Sequence, residues 1–468
     1  MAISEETEQI HGLASAIQKA KELNGPVLFS HVKKIECTNP LSFYQAGRER
    51  YAGERFFWQD PAKSITITGL GSVKNIQADP GPSRYKQIEE NWNKLQNSAV
   101  KTGMAGIDAT GPVLFGGFSF DYKNQSSLLW TQFGDNLFYI PAYMLTAVNG
   151  GTYLTTNLLC SPDDEEKLFI EMINEREEFL LREMELNFSE NPMTEQRETR
   201  PEEWKRTVAE AVKEMKETDL DKIVLARELR VIFKDTIMAE KVLERLMAEQ
   251  PTSYIFSLES GKDCFIGATP EQLIKKTGHS VSSACLAGSI ARGKTPEEDE
   301  RLGSELFSDE KNRMEHQYVV SMITGALKSL CTEVSVPEEP QLMKIRHIQH
   351  LYTPVQGKSD EQASIFSFIK KLHPTPAMGG LPKEKAIDRI RAIEGLERGF
   401  YAGPLGWVDS YGNGEFAVGI RSALLQGNEA SLFAGCGVLE DSVPESEYEE
   451  TAIKFNPMLS ALGGTIHE

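Results

Sequence analysis

Along the first residues apolar side chains recur at helical spacing, with Ile10, Leu13, Ile17 and Ala20 on one stripe, which predicts a helix over 1–24. From about 26 to 160 the pattern changes to short β-rich runs separated by turns. Pro26-Val-Leu-Phe-Ser, Ser64-Ile-Thr-Ile-Thr, Pro112-Val-Leu-Phe-Gly and Tyr153-Leu-Thr-Thr read as strands. A long charged helix is predicted over 162–186. The stretch 187–200 is polar, with Pro192 inside it and Pro201 just beyond, and reads as a linker dividing 1–200 from 201–468.

The second part is denser in pattern. Pro201 opens a helix with Trp204, Val208, Val212 and Met215 on one face. The run from Asp221 reads as a strand with Ile223, Leu225 and Leu229 on one side and Lys222, Val224, Ala226 and Glu228 on the other. Further strands begin at Ser253, Cys264, Trp407, Glu415 and Ser431, with helices near 309–331, 384–393 and 445–455. Clustered strands among long helices, without a regular βαβ alternation, predict an α+β fold with large antiparallel sheets.

Composition narrows what such a fold can do. The 468 residues carry 50 Lys+Arg against 69 Asp+Glu, a formal net charge of −19. Phosphates repel such a chain, so neither a nucleic acid nor an anionic membrane is an expected partner. No run approaches the roughly 20 apolar residues that span a bilayer, and the N-terminus lacks the pattern of a signal peptide. The six cysteines are scattered with no C-x-x-C pair, so reduced thiols in the cytoplasm are expected.

Several stretches stand out chemically. Ala434-Gly-Cys-Gly ends a strand in a turn whose glycines let backbone N–H groups approach an anion. Beyond it, Glu447 and Glu450 share a helix face, an arrangement that suits Mg²⁺ or simply answers the helix dipole. Glu315 sits on an apolar stripe with Val319, Met322 and Ala326, where a carboxylate needs a partner or lies just outside the core. Lys222 is either an edge-strand lysine or, once buried, a base. Glu271 follows a Thr-Pro turn as a helix-start acid or a buried acid. Arg421 ends a strand and can grip a carboxylate bidentately or form a surface ion pair.

Together these stretches resemble one family. Lys222-Ile-Val-Leu-Ala-Arg, Phe265-Ile-Gly-Ala-Thr-Pro-Glu, Leu286-Ala-Gly-Ser, Glu315-His316, His350-Leu-Tyr-Thr, Leu372-His-Pro-Thr-Pro-Ala, Tyr401-Ala-Gly-Pro-Leu-Gly-Trp, Ile420-Arg421, Ala434-Gly-Cys-Gly and Glu447-Tyr-Glu-Glu-Thr occur in the order found in chorismate-utilising enzymes. That family includes the isochorismate, salicylate, anthranilate and aminodeoxychorismate synthases. The resemblance implies an α+β fold like that of anthranilate synthase component I, with a divergent N-terminal part over 1–200 and a catalytic region over 201–468.

The resemblance also implies roles. Glu315 and Glu450 correspond to Mg²⁺ ligands, with Glu447 close by, and the metal would meet the ring carboxylate of chorismate. Arg421, Tyr401 and the backbone at Gly435 and Gly437 correspond to the grip on the enolpyruvyl carboxylate. His350 corresponds to a site histidine beside the ring carboxylate, and Ala287, Gly288, Ser289 and Ala377 to further substrate contacts. Lys222 would take a proton from water attacking C2, while Glu271 gives one to the departing C4 hydroxyl. Aminodeoxychorismate synthases place a nucleophilic lysine where this chain has Ala287. No glutamine-hydrolysing domain is fused here and no such subunit is expected. The expected product is therefore isochorismate, for menaquinone synthesis. A salicylate-forming enzyme, an ammonia-using anthranilate-type enzyme and a non-catalytic chorismate-binding protein are the alternatives.

Overall fold

The computed structural model describes residues 5–124, 128–186, 188–345 and 348–464. Its strands form one continuous sheet system that divides at the strand Asn136–Val148. Along one edge this strand pairs with Ile65–Ile76. On its other edge it pairs first with Val113–Phe118 and then with Gly151–Cys160, so two branches leave from the same strand. The first branch runs from Ile65–Ile76 through Arg55–Gln59, Tyr254–Ser260, Asp263–Thr269, Ser422–Gln426 and Glu429–Val438 to Lys222–Phe233. The second runs from Val113–Phe118 through Pro404–Asp409, Gly414–Val418, Gln272–Thr277 and Ser280–Ala291 to Ile348–Ser359. All these pairings are antiparallel. Val27–Ile35 with Val100–Gly103 is a parallel exception at the N-terminal end.

The main core joins residues of both branches and is rich in aromatic rings, among them Phe56, Phe115, Phe138, Phe265, Phe400, Trp407 and Phe416. Phe56 of the first branch and Phe115 of the second stack with centroids 4.0 Å apart, which ties the two together. A second cluster joins the first branch, through Leu229, Val231, Ile266 and Leu432, to the helices Ala239–Glu249 and Pro444–Leu462.

The first predicted helix is Glu5–Leu23, with Leu13, Ile17 and Ala20 buried, and residues 1–4 of that prediction lie outside the described residues. The charged helix is shorter than its pattern, Glu166–Leu180. The stretch 187–200 differs from the reading as a linker. Its residues Met193–Glu198 form a strand on the edge of Lys222–Phe233. None of its six side chains is buried, which explains why no apolar period marked it. The C-terminal helix continues through Pro457 to Leu462, beyond the predicted stop at 455. Burial of Phe455, Met458, Leu459 and Leu462 in the second core offsets the hydrogen bond that the proline cannot make.

Candidate active site

The two sheet branches exchange chain at two short crossovers, and each crossover carries a predicted site residue. Glu271 lies between Asp263–Thr269 and Gln272–Thr277, while Arg421 lies between Gly414–Val418 and Ser422–Gln426. Each crossover bonds to a strand that flanks the other: Val418 N–H donates to the Glu271 carbonyl at 3.0 Å, and Ala268 N–H donates to the Arg421 carbonyl at 3.1 Å. No helix follows Glu271, so its role as a helix-start acid falls away. Arg421 does not end a strand as the pattern suggested. It turns the chain in a left-handed conformation, φ 51°, rare for a side-chain-bearing residue and tolerated where surroundings enforce it.

Around these crossovers one cavity gathers Lys222, Glu271, Ala287, Gly288, Ser289, Glu315, His350, Ala377, Tyr401, Arg421, Gly435, Gly437 and Glu450. Lys222 opens the last strand of the first branch, but not as an edge lysine: Leu381 pairs with it on one side and Glu429–Val438 runs along the other. It is 4% exposed, and its ammonium forms an ion pair with Glu315 on the facing helix Glu310–Lys328. Gly437 makes room for this lysine, because a Cβ there would stand 2.8 Å from Lys222 Cε. On the second branch a bulge at Gly288, φ 77°, shifts the register between Ala287 and Ser289. Such bulges re-aim side chains. Here Ser289 Oγ reaches His350 Nδ1 at 2.6 Å, while His350 Nε2 is buried without a partner.

The charges are unevenly satisfied. Burial pushes Glu271 up to about 7, against the pull of Arg421, Lys222 and Lys454. Burial holds His350 down at about 3, with Arg421 and Lys454 adding to the effect, so its ring is neutral at physiological pH. Arg421 is 8% exposed and makes no ion pair among the described residues; burial lowers it while Tyr401, Glu450 and Glu271 oppose that. Tyr401 is raised by burial and stacks on Phe433 with centroids 5.3 Å apart. Burial works to raise Glu450, but Lys454, Arg421 and Lys222 together hold it low. An unpaired guanidinium, a neutral imidazole and a carboxyl held near neutrality form a site for a carboxylate-bearing substrate and for proton transfer.

Glu447 is the predicted site residue that does not line this cavity. Burial raises it, and its carboxyl bonds Ser442 and Cys436 instead. Asn312, Arg398 and Lys454 line the cavity without having been anticipated. Lys454 pairs with Glu450 and donates to the Gly435 carbonyl at 2.9 Å. Its one sequence signal is the i,i+4 spacing from Glu450. Arg398 uses its nitrogens on Glu394 and on the Met378 and Val224 carbonyls, so its place is structural.

For a divalent cation, the donor chemistry fits: Glu315 and Glu450 are hard carboxylates on separate helices that reach one cavity, and ammonium groups now compensate both. Among the described residues no three His, Cys, Asp or Glu side chains cluster closely enough to cage a metal alone. A cation there would draw further ligands from substrate and water, as Mg²⁺ commonly does.

This architecture has close counterparts. Residues 15–463 match the family model described as "Chorismate binding enzyme". The chain is 46% identical over 454 residues to isochorismate synthase MenF of Bacillus subtilis (strain 168), covering 96% of each chain. It is similar to the crystal structure of a putative 2,3-dihydroxybenzoate-specific isochorismate synthase, DhbC, from Bacillus anthracis (28% identity, TM-score 0.71, 90% of this chain and 100% of that one). It also shares the fold of MenF from Escherichia coli, titled the menaquinone-specific isochorismate synthase (23% identity, TM-score 0.78, 96% and 100% coverage). The branched antiparallel sheet is thus the fold of a chorismate-binding enzyme, and this chain belongs to that family. Among the described residues no helix is long and apolar enough to cross a membrane.

Proposed function

We propose that this chain is an isochorismate synthase, a Mg²⁺-dependent isomerase that converts chorismate reversibly to isochorismate. The observation that carries this reading is the placement, in one cavity, of the buried Lys222 side chain and the buried carboxyl of Glu271, which is held near neutrality. Likeness to MenF over 96% of the chain supports it.

Arg421, Tyr401 and the backbone at Gly435 and Gly437 bind the enolpyruvyl carboxylate, and the neutral His350 offers its free Nε2 to the ring carboxylate. Ala287, Gly288, Ser289 and Ala377 shape the remaining wall. Lys222 takes a proton from water as the water oxygen bonds to C2. The ring double bonds shift, the C4–oxygen bond breaks, and Glu271 gives its proton to the departing hydroxyl, which leaves as water. Since Lys222 is an ammonium tied to Glu315, its use as a base requires that it first give up a proton to solvent and that Glu315 turn away from it. Glu315 and Glu450 would hold Mg²⁺, with Glu447 one helical turn from Glu450, and the cation would supply positive charge against the ring carboxylate.

All the residues that line the cavity fall within 201–468, which supports placing the catalytic region there and a divergent part over 1–200. Water as nucleophile removes the need for a glutamine-hydrolysing subunit, and Ala287 leaves no lysine in the Ala-Gly-Ser motif. Supply of menaquinone synthesis, in the cytoplasm, completes the proposal, in keeping with the likeness to MenF and six free thiols. The test is incubation of the purified chain with chorismate and Mg²⁺, with products identified by mass and absorbance. Isochorismate alone supports the reading. Salicylate with pyruvate, or product formed only with ammonia, assigns the chain to a different chemistry.

A further inference from the structure

A second cavity opens between the helices Arg84–Ser98 and Lys383–Ile393 and the turn near 120. It shares no lining residue with the first, although the segment that supplies His373, Pro374 and Lys383 to it supplies Ala377 and Met378 to the other. Its charges are the reverse of the chain as a whole. Arg391 is shared by two carboxylates, Asp121 at 2.6 Å and Asp388 at 2.7 Å, which outweigh its one charge, and Arg84 is paired with Asp135 at 2.5 Å. Lys123, Lys370 and Lys383 form no ion pair among the described residues, against Glu384 as the one carboxylate of the lining left unpaired. In a chain of net charge −19 such a local surplus of cations is conspicuous.

Lys383 is the centre of it. Its ammonium has one hydrogen-bond partner, the His373 carbonyl at 2.7 Å, and burial pushes it down to about 8 with only Glu384 opposing. An ammonium short of counter-charge gains from an anion brought to it. Arg84, 2% exposed, leaves its Nε without a partner beside the same cavity. The apolar part of the wall combines three aromatic side chains, Tyr85, 7% exposed, Phe120, 5% exposed, and Tyr122, with Pro82, Pro374 and Ile387.

We infer that this second cavity binds a small aromatic carboxylate, with the carboxylate on Lys383 and Lys370 and the ring against Tyr85, Phe120 and Tyr122. Aromatic walls favour a flat ring, and unpaired ammonium groups at the rim favour a carboxylate over a neutral group. The inference stands independently of the reaction proposed for the first cavity.

Calorimetric titration of the full chain with benzoate and, separately, inorganic phosphate tests it. Benzoate should bind, about tenfold or more weakly in Lys383→Met and about threefold more weakly in Lys370→Glu, the scale of lost charge-assisted contacts. Its affinity should stay within about twofold in Arg421→Ala, whose guanidinium belongs to the other cavity. Lys370 is exposed, so Lys370→Glu keeps the test open if Lys383→Met fails to fold. Affinity insensitive to both lysine variants, or lost in Arg421→Ala, would overturn the site. Phosphate bound in place of benzoate, with the same dependence on the lysines, would overturn the aromatic class.

Discussion

Lys222 and Glu315 form a mostly buried ion pair, with side chains 5% and 25% exposed, between the final strand of one sheet branch and a helix packed beside the other. The same contact joins the proposed base to a proposed metal ligand, so the two functions cannot be perturbed separately without cost. Lys222→Ala is expected to lower kcat by about 10²–10⁴, the usual range for a lost general base, while chorismate still binds. Steady-state rates together with calorimetric binding check this. Normal turnover in the variant removes Lys222 from the chemistry.

Glu271 gives the pH dependence. Burial holds its pKa at about 7, above the ordinary carboxyl value, so the group is protonated below that pH and ionised above it. A general acid works only while protonated. Turnover should therefore fall as pH rises through about 7, and Glu271→Gln should lose about 10²–10⁴ in kcat. A kcat/KM profile that does not fall as pH rises through this region contradicts the assignment.

Glu450 is held low by Lys454, Arg421 and Lys222 despite its burial, so it is available as an anion throughout the physiological range. Glu450→Gln keeps its shape and removes the charge. The Mg²⁺ concentration for half-maximal activity should rise by about tenfold or more, the scale on which loss of a supporting metal contact is felt. An unchanged Mg²⁺ titration places the cation elsewhere.

Buried charge also has a structural use here. Arg398 and Glu394 pair at 2.5 Å with 3% and 1% of their side chains exposed, and Glu394 also accepts from the Ala226 N–H. Arg398→Met leaves that buried carboxylate without its counter-charge, which should cost about 3–5 kcal/mol of stability. Urea unfolding measures it, and a loss below about 1 kcal/mol would mean that the carboxylate finds another partner.

These residues show what a linear pattern can carry. Lys222, Glu315 and Glu450 were visible because each broke a local expectation, a charge within an apolar strand or stripe or a like-charged pair on one helix face. Arg398 and Lys454 broke none: a lysine four residues after a glutamate is an ordinary helical pair. The strand Met193–Glu198 was hidden for the opposite reason, since an edge strand facing water needs no apolar alternation. Glu447 was grouped with Glu450 by helical spacing, but three residues turn a side chain far enough for it to face Cys436 instead of the cavity. Periodicity names a helix face; it does not say what lies opposite.

Gly437 separates packing from chemistry at this site. Its backbone needs no left-handed conformation, so alanine meets no conformational penalty there. The added Cβ would stand 2.8 Å from Lys222 Cε and 3.2 Å from Nζ, atoms at the far end of a flexible chain that can move aside. Stability should therefore change by less than about 1 kcal/mol, whereas Lys222 is displaced from the position in which it would meet the attacking water. Gly437→Ala is expected to lower kcat by about tenfold or more, a misplacement effect, with a smaller change in KM. Parallel urea unfolding and steady-state kinetics read the two effects. A stable variant with full kcat would show that the position of Lys222 against this strand does not matter to turnover.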